Sequence, residues 1–312
     1  MSTKRDLLSV ADLTGEETRW ILRRSREMKA NGSSQALAGK SVALLFEKAS
    51  LRTRASFQVG IQQLGGYSIH MGQEEVGLGS REPISDVARV LSGYVDCIVA
   101  RVNSHQALEE LAEYATVPVI NALSDGEHPC QILSDLQTVL EHKGELEGLK
   151  LTFVGDGNNV ARSLCLALPA VGMSFTIAAP EGYNLDDSSL DLARRRAEAG
   201  TVQVLAMTDP VEAVAGADLV YTDIWTSMGQ EAEAEIRHRA FQGYTVDPEL
   251  LSRAGPDAMF MHDMPAHYGE EVPPGMLEHP RSLAYNQAHN RLHVQKAVME
   301  FFLNGHQNPT PA

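Results

Sequence analysis

The sequence predicts an α/β protein made of two doubly wound parallel-sheet domains of similar size. Three observations point to this. A chain of 312 residues is long enough for two hydrophobic cores. Short apolar runs of strand length alternate with stretches whose apolar residues recur at helical spacing. Near the middle, Lys143-Gly144-Glu145-Leu146-Glu147-Gly148 is a polar break that reads as a boundary. Domains are therefore expected over residues 1–145 and 146–285, with a terminal helix over 286–304.

Composition narrows the function. Hydrophobic residues make up 43% and charged residues 21%, which is ordinary for a globular chain. The net charge is -15 and no basic face is evident, so no nucleic-acid partner is expected. No apolar run approaches the length of a membrane span, so no membrane partner is expected either. Met1-Ser2-Thr3-Lys4-Arg5-Asp6 lacks the apolar core of a secretory signal. Cys97, Cys130 and Cys165 have no metal-ligand spacing and fit reduced thiols. A cytoplasmic location without a bound metal is the expectation.

In chain order, the first helix is expected over 12–30, announced by Thr14 with Glu17 three residues on. Val42-Ala43-Leu44-Leu45 reads as a strand, and Phe57, Ile61 and Leu64 mark one face of the next helix. Between them lies Phe46-Glu47-Lys48-Ala49-Ser50-Leu51-Arg52-Thr53-Arg54, a polar cluster at a strand-to-helix turn. Free backbone donors at a helix start attract anions. Two hydroxyls and two guanidinium groups there can hold a phosphate on several sides. A merely solvated basic turn is the weaker reading in so acidic a chain.

A strand over 67–70 leads to a glycine-rich polar loop over 72–83, long enough to need a reason. A helix over 86–94 and a strand over 97–100 follow, with Arg101 at the strand end, where open α/β sheets gather ligands. A salt-bridged surface role is its alternative. A helix over 108–114 and a strand over 117–121 lead to His128-Pro129-Cys130-Gln131. Pro129 suits a first helical turn, from which His128 and Gln131 both look back.

After the break, a strand over 149–154 runs into Gly155-Asp156-Gly157-Asn158-Asn159. This is not the GxGxxG fingerprint, and its amides suit a small zwitterion better than a pyrophosphate. Asn158 reads as a helix cap. Strands over 175–179, 202–205 and 219–222 alternate with helices over 189–199 and from 209 to about 216. Asp223 ends the last of these strands, where it can pair with an ammonium or cap a helix. No Arg or Lys lies between Asp223 and Glu235, which favours a substrate carrying amines. A strand over 255–261 ends at His262-Asp263-Met264-Pro265, and residues after Gly305 read as a disordered tail.

These motifs together resemble one family. Ser50-Leu51-Arg52-Thr53-Arg54 is similar to the carbamoyl phosphate loop of the aspartate and ornithine carbamoyltransferases. The fuller stretch from Phe46 to Arg54 resembles the ornithine branch, as does Asp223-Ile224-Trp225-Thr226-Ser227-Met228-Gly229. His128-Pro129-Cys130-Gln131 resembles the family's His-Pro-x-Gln motif, and the resemblance spans roughly residues 5 to 303. It implies a cleft between the domains, with the first and last helices packed on the N-terminal one. It implies transfer of a carbamoyl group from carbamoyl phosphate to L-ornithine, giving L-citrulline and phosphate without a cofactor.

By the same resemblance, Ser50, Leu51, Arg52 and Thr53 bind phosphate, and Arg291 closes over it. Thr53, Arg101 and His128 stabilise the carbonyl oxygen, Gln131 holds the carbamoyl amide, and Met264 contributes its backbone carbonyl. Gln73 reaches in from a neighbouring subunit of a homotrimer or an assembly of trimers. Asn159, Asp223 and Ser227 bind ornithine, and Met228 lines its pocket. Three positions depart from the family pattern: Asp263 replaces the usual cysteine, Met264 a leucine, and His289 an acidic residue. Asp263, beside the reacting amine, joins Thr53, Arg101 and His128 in the catalytic set. The alternatives are transfer to another amine or an N-acylornithine, and a catalytically impaired binding protein.

Overall fold

The structure, a computed structural model, describes residues 4–197, 202–227 and 229–305. The chain divides into two compact units. One comprises residues up to Gln137 and those from Asn290 on, and the other is Thr138–His289.

The first unit contains α1 (Gly15–Asn31), β1 (Ser41–Phe46), α2 (Leu51–Gln63), β2 (Tyr67–Gly72), α3 (Gln73–Val76), α4 (Ile84–Ser92), β3 (Cys97–Arg101), α5 (His105–Tyr114), β4 (Val119–Leu123) and the start of α6 (Pro129–Lys143). Its strands are parallel in the order β2-β1-β3-β4. Strand periodicity explains how the sheet is covered on both faces. Val42, Leu44 and Phe46 pack with Phe57 and Ile61 of α2, whereas Ala43 and Leu45 pack with Val87 of α4 and Leu108 and Leu111 of α5. The strand order reverses between β1 and β3, whose C-terminal ends form the usual ligand position of such sheets. Phe46 and Arg101 are register partners there.

The second unit contains β5 (Lys150–Val154), α7 (Asn159–Ala167), β6 (Ser174–Ala178), α8 (Asp187–Arg196), β7 (Val204–Met207), α9 (Pro210–Val214), β8 (Leu219–Thr222), α10 (Ala234–Ala240), α11 (Pro248–Arg253), β9 (Met259–His262) and the start of α12 (Ala284–Asn304). Its five strands are parallel in the order β7-β6-β5-β8-β9, with the reversal between β5 and β8. Val154, Val220 and Phe260 pack with Val214 of α9 and Leu251 of α11. Both predicted doubly wound parallel sheets are thus present.

The first and last helices pack together in the first unit, as expected. Thr14 and Glu17 form the predicted capping box of α1. Arg24 on α1 pairs with Glu300 on α12 at 2.7 Å, and Trp20 meets Phe301 with ring centroids 5.4 Å apart. Lys296 is fully buried and donates to the Gly32 carbonyl at 3.1 Å and to Gln63 Oε1 at 2.9 Å.

Several elements differ from the sequence reading. The stretch read as a loop from 72 begins with a one-turn helix, α3, set directly on the end of β2. Helices α10 and α11 were not expected. In α10 the large apolar residue, Ile236, is exposed and the buried residue is Arg237, so no apolar stripe announces the helix. Helix α11 has six residues, too few to show a period. The strand expected over 202–205 runs over Val204–Met207 instead. The tail after Gly305 lies outside the described residues. No described helix is long and apolar enough to cross a membrane.

Candidate functional site

Predicted site residues gather in each unit at the C-terminal ends of the central strands. In the first unit, Ser50 caps α2, its Oγ accepting from the Thr53 N–H at 3.3 Å. Leu51 is 82% exposed, and its backbone N–H is among the free donors that open α2. Thr53 is buried, and its Oγ1 meets two guanidinium groups, Arg101 Nη1 at 3.4 Å and Arg291 Nη2. Arg101 ends β3 and Arg291 arrives on α12, so two elements far apart in sequence concentrate positive charge at the turn. Arg52 is half-buried, with a buried Nε that has no hydrogen-bond partner among the described residues.

His128 is buried at the turn before α6. Burial, then Arg291 and Arg101, hold its pKa well below the usual imidazole range. Its ring is therefore neutral at physiological pH, able to donate one hydrogen bond without carrying charge. Gln131, three residues on, is fully buried and donates from Nε2 to Asp135 Oδ1 at 2.8 Å.

The turn is pinned from behind by residues the sequence reading did not single out. Glu127 accepts from the Val10 N–H at 3.0 Å and from the Ser9 hydroxyl. Asn121 donates to the Leu8 carbonyl at 2.8 Å, and Ser124 Oγ lies 2.7 Å from His105 Nδ1. The N-terminal segment thus braces the loop that carries His128. Gln73 is exposed at the start of α3.

In the second unit, Asp223 follows β8 and is buried. Its Oδ2 accepts from Asn158 Nδ2 at 2.7 Å and its Oδ1 from the Ile224 N–H at 2.7 Å. Asn158 also caps α7, accepting from the Val160 and Ala161 N–H groups at 3.0 Å each. The sequence reading saw the cap and missed the bond to Asp223. Asn159 is the first residue of α7, and its Oδ1 accepts from the Val160 N–H at 3.1 Å. Ser227 is half-buried, its N–H held by Gln230 Oε1 at 3.1 Å. Met228 lies outside the described residues.

Asp263 follows β9, and one oxygen of Asp223, one of Asp263 and one ring nitrogen of His262 all lie within 4.8 Å of one another. His262 is a poor metal ligand here. Its Nδ1 accepts from the Met264 N–H at 2.9 Å, so Nε2 carries the proton and faces Glu271 Oε1 at 3.2 Å. Met264 itself has φ 61°, in the left-handed region that a side chain rarely adopts, and this bond to His262 holds it. His267, Glu270 and Glu271 form a second such group, running from the exposed His267 to the fully buried Glu271. A cavity of about 840 Å³ adjoins this half-site, lined in part by Ile224, Thr226, Pro265 and His267.

The segment after Asp223 is tied down by a buried ion pair. Arg237 on α10 donates to Asp156 Oδ2 at 2.9 Å and to the Trp225 carbonyl at 3.1 Å. Burial pushes the Asp156 carboxyl up to about 6, Arg237 pulling against it. Trp225 is buried and stacks on Phe241, packing the segment from within. His289 is exposed.

Two family models match in sequence order. The carbamoyl-P binding domain of aspartate/ornithine carbamoyltransferases covers residues 5–141, and the family's Asp/Orn binding domain covers residues 147–302. The chain belongs to the aspartate/ornithine carbamoyltransferase family. Within it, the ornithine carbamoyltransferase of Thermococcus kodakarensis is 48% identical over 305 residues, covering 96% of this chain and 97% of its own. The structure of the ornithine carbamoyltransferase from Pyrococcus furiosus superposes with a TM-score of 0.93 at 46% identity, covering 98% of this chain and 99% of that one. An acetylornithine transcarbamylase complexed with acetylcitrulline superposes with a TM-score of 0.86 at 31% identity, covering 95% and 98%. The first unit therefore carries the family's carbamoyl phosphate half and the second its amino-acid half.

Proposed function

We propose that this chain is an ornithine carbamoyltransferase, converting carbamoyl phosphate and L-ornithine to L-citrulline and phosphate. The observation that carries the acceptor assignment is the pair of carboxylates, Asp223 and Asp263, gathered within 4.8 Å in the amino-acid half. No Arg or Lys lies between Asp223 and Glu235. Such a site attracts ammonium groups and repels a dicarboxylate.

The roles follow from the chemistry of each group. Ser50, Arg52, Arg291 and the backbone donors opening α2 bind the phosphate, with Leu51 acting through its N–H. The neutral δ-amine attacks the carbonyl carbon. Thr53, Arg101 and neutral His128 donate to the oxygen as negative charge builds on it. A neutral imidazole suits this task, because it gives a hydrogen bond without competing for the amine's proton. The tetrahedral intermediate collapses as the carbon–oxygen bond to phosphate breaks. Phosphate leaves with the electron pair and takes up the proton that the attacking nitrogen loses. Asp223, Asn159 and Ser227 hold the amino-acid end, and Met264 contributes its backbone carbonyl.

The active assembly is proposed to be a homotrimer, or trimers assembled further, in which Gln73 completes a neighbour's site. Strand β2 lies at the sheet edge with Tyr67 and Ile69 exposed, and exposed Gln73 follows it, which supports an interface on this side. A cytoplasmic location is supported by three cysteines that are buried and free.

A product assay tests the reading with ornithine, putrescine, lysine, aspartate and acetylornithine as acceptors. Citrulline and stoichiometric phosphate with ornithine as the best acceptor are expected. A preference for acetylornithine or aspartate, or no carbamoyl transfer to any of them, would reject it.

A further inference from the structure

We propose that Asp135 is a positioning residue that makes Gln131 read the nitrogen of the carbamoyl group. The inference rests on the carbamoyltransferase reading above and adds a determinant of donor specificity to it. A glutamine amide has a donor end and an acceptor end of nearly the same shape, so packing alone does not choose which way it faces. Here chemistry chooses. Asp135 lies one helical turn beyond Gln131 on α6, and its Oδ1 is 2.8 Å from Gln131 Nε2, with both side chains buried. Asp135 Oδ1 accepts from that nitrogen, so a flipped amide would set the Gln131 oxygen against an acceptor.

The amide's donor end is thereby committed to Asp135. Its Oε1 is buried and has no hydrogen-bond partner among the described residues. A buried acceptor of this kind is completed by a ligand N–H. The carbamoyl group supplies one from its –NH2, whereas an acetyl group of similar size offers only a methyl. Asp135 thus builds a preference for carbamoyl phosphate over acetyl phosphate without touching either.

The test is titration of the full-length protein with carbamoyl phosphate, acetyl phosphate and inorganic phosphate. In Asp135→Asn the residue at 135 can donate or accept, so Gln131 is free to face either way. The preference for carbamoyl over acetyl phosphate should fall about tenfold, as one buried hydrogen bond is lost, with inorganic phosphate binding unchanged. An unchanged preference, or a parallel loss of carbamoyl phosphate and inorganic phosphate, overturns the positioning role. Amide exchange in the parent gives a second measurement that needs no variant. The Gln131 side-chain proton facing Asp135 should stay protected with and without ligand, and exchange at the rate of an exposed glutamine overturns the proposal. A parent that shows the carbamoyl preference yet makes no citrulline would support the role of Asp135 while rejecting the assigned reaction.

Discussion

Asp263 sets a second carboxylate within reach of Asp223 in the amino-acid half-site. An ionised carboxylate there attracts a protonated δ-amine and raises its pKa, which aids capture and hinders attack, since only the neutral amine is nucleophilic. Asp263→Cys should therefore keep carbamoyl transfer and move the alkaline rise in kcat/KM to lower pH by about one unit. The measurement is a pH profile of both proteins at saturating carbamoyl phosphate and limiting ornithine. Superimposable profiles would remove Asp263 from control of the amine. Asp223→Asn tests the anchor itself, keeping shape while removing charge opposite an ammonium. It should raise the ornithine KM about 30-fold or more while leaving carbamoyl phosphate binding nearly unchanged. Equal loss for both substrates would reject the anchor. The residues legible from sequence share a local signature. Ser50, Thr53, Arg101, His128, Asp223 and Asp263 each end or follow a strand or lie at the start of a helix, and short motifs report such positions. Glu127 holding the Ser9–Val10 segment and Arg237 holding Asp156 join residues distant in the chain, and no local pattern announces them.

Helix α10 shows what an element loses in legibility when polar contacts fold it. Its anchor is Arg237, buried against Asp156 and the Trp225 carbonyl, while Ile236 points outward. Strands β1 and β3 were easy to read because five consecutive residues in each are buried, all of them apolar except the closing Arg101. The Arg237–Asp156 pair also makes this element sensitive to pH. Burial pushes the Asp156 carboxyl up to about 6, above its ordinary value of 3.8. Between those values the folded chain holds a proton that the unfolded chain has lost, so this group's contribution to stability is full at low pH and falls as pH rises through about 6. The charged tether runs the other way, because only the ionised carboxylate pairs fully with Arg237. Below about pH 6 the segment carrying Ser227 should loosen and the ornithine KM should rise beyond what amine protonation explains. Asp156→Asn should show the loosened KM at every pH, with carbamoyl phosphate binding intact. A variant that follows the parent's KM profile throughout would show that the tether does not hold the segment.

At the scale of the whole molecule, the question is where one active site ends and the next begins. The first sheet ends in β2, an edge strand that leaves Tyr67 67% and Ile69 40% exposed. An unpaired edge with apolar side chains is normally covered. Gln73 follows the end of that strand and is exposed, whereas Thr53, Arg101, His128 and Arg291 are buried. If a neighbour supplies Gln73, then two defective proteins can repair each other. Arg52→Ala removes a charged contact from the phosphate turn and should by itself abolish most carbamoyl phosphate binding. Gln73→Ala should by itself depress transfer while leaving its own Arg52 intact. When the two are unfolded together at equal concentration and refolded, random mixing in a closed trimer places an intact Arg52 against a neighbour's intact Gln73 in about a quarter of the sites. Activity should therefore recover to about a quarter of the parent's, against near zero for either variant refolded alone. Both residues in one chain, Arg52→Ala with Gln73→Ala, mixed with the parent, should instead lower activity below the simple average of the two. A mixture of the single variants that regains nothing, in a preparation shown by light scattering to be trimeric, would place Gln73 in its own chain's site or in none.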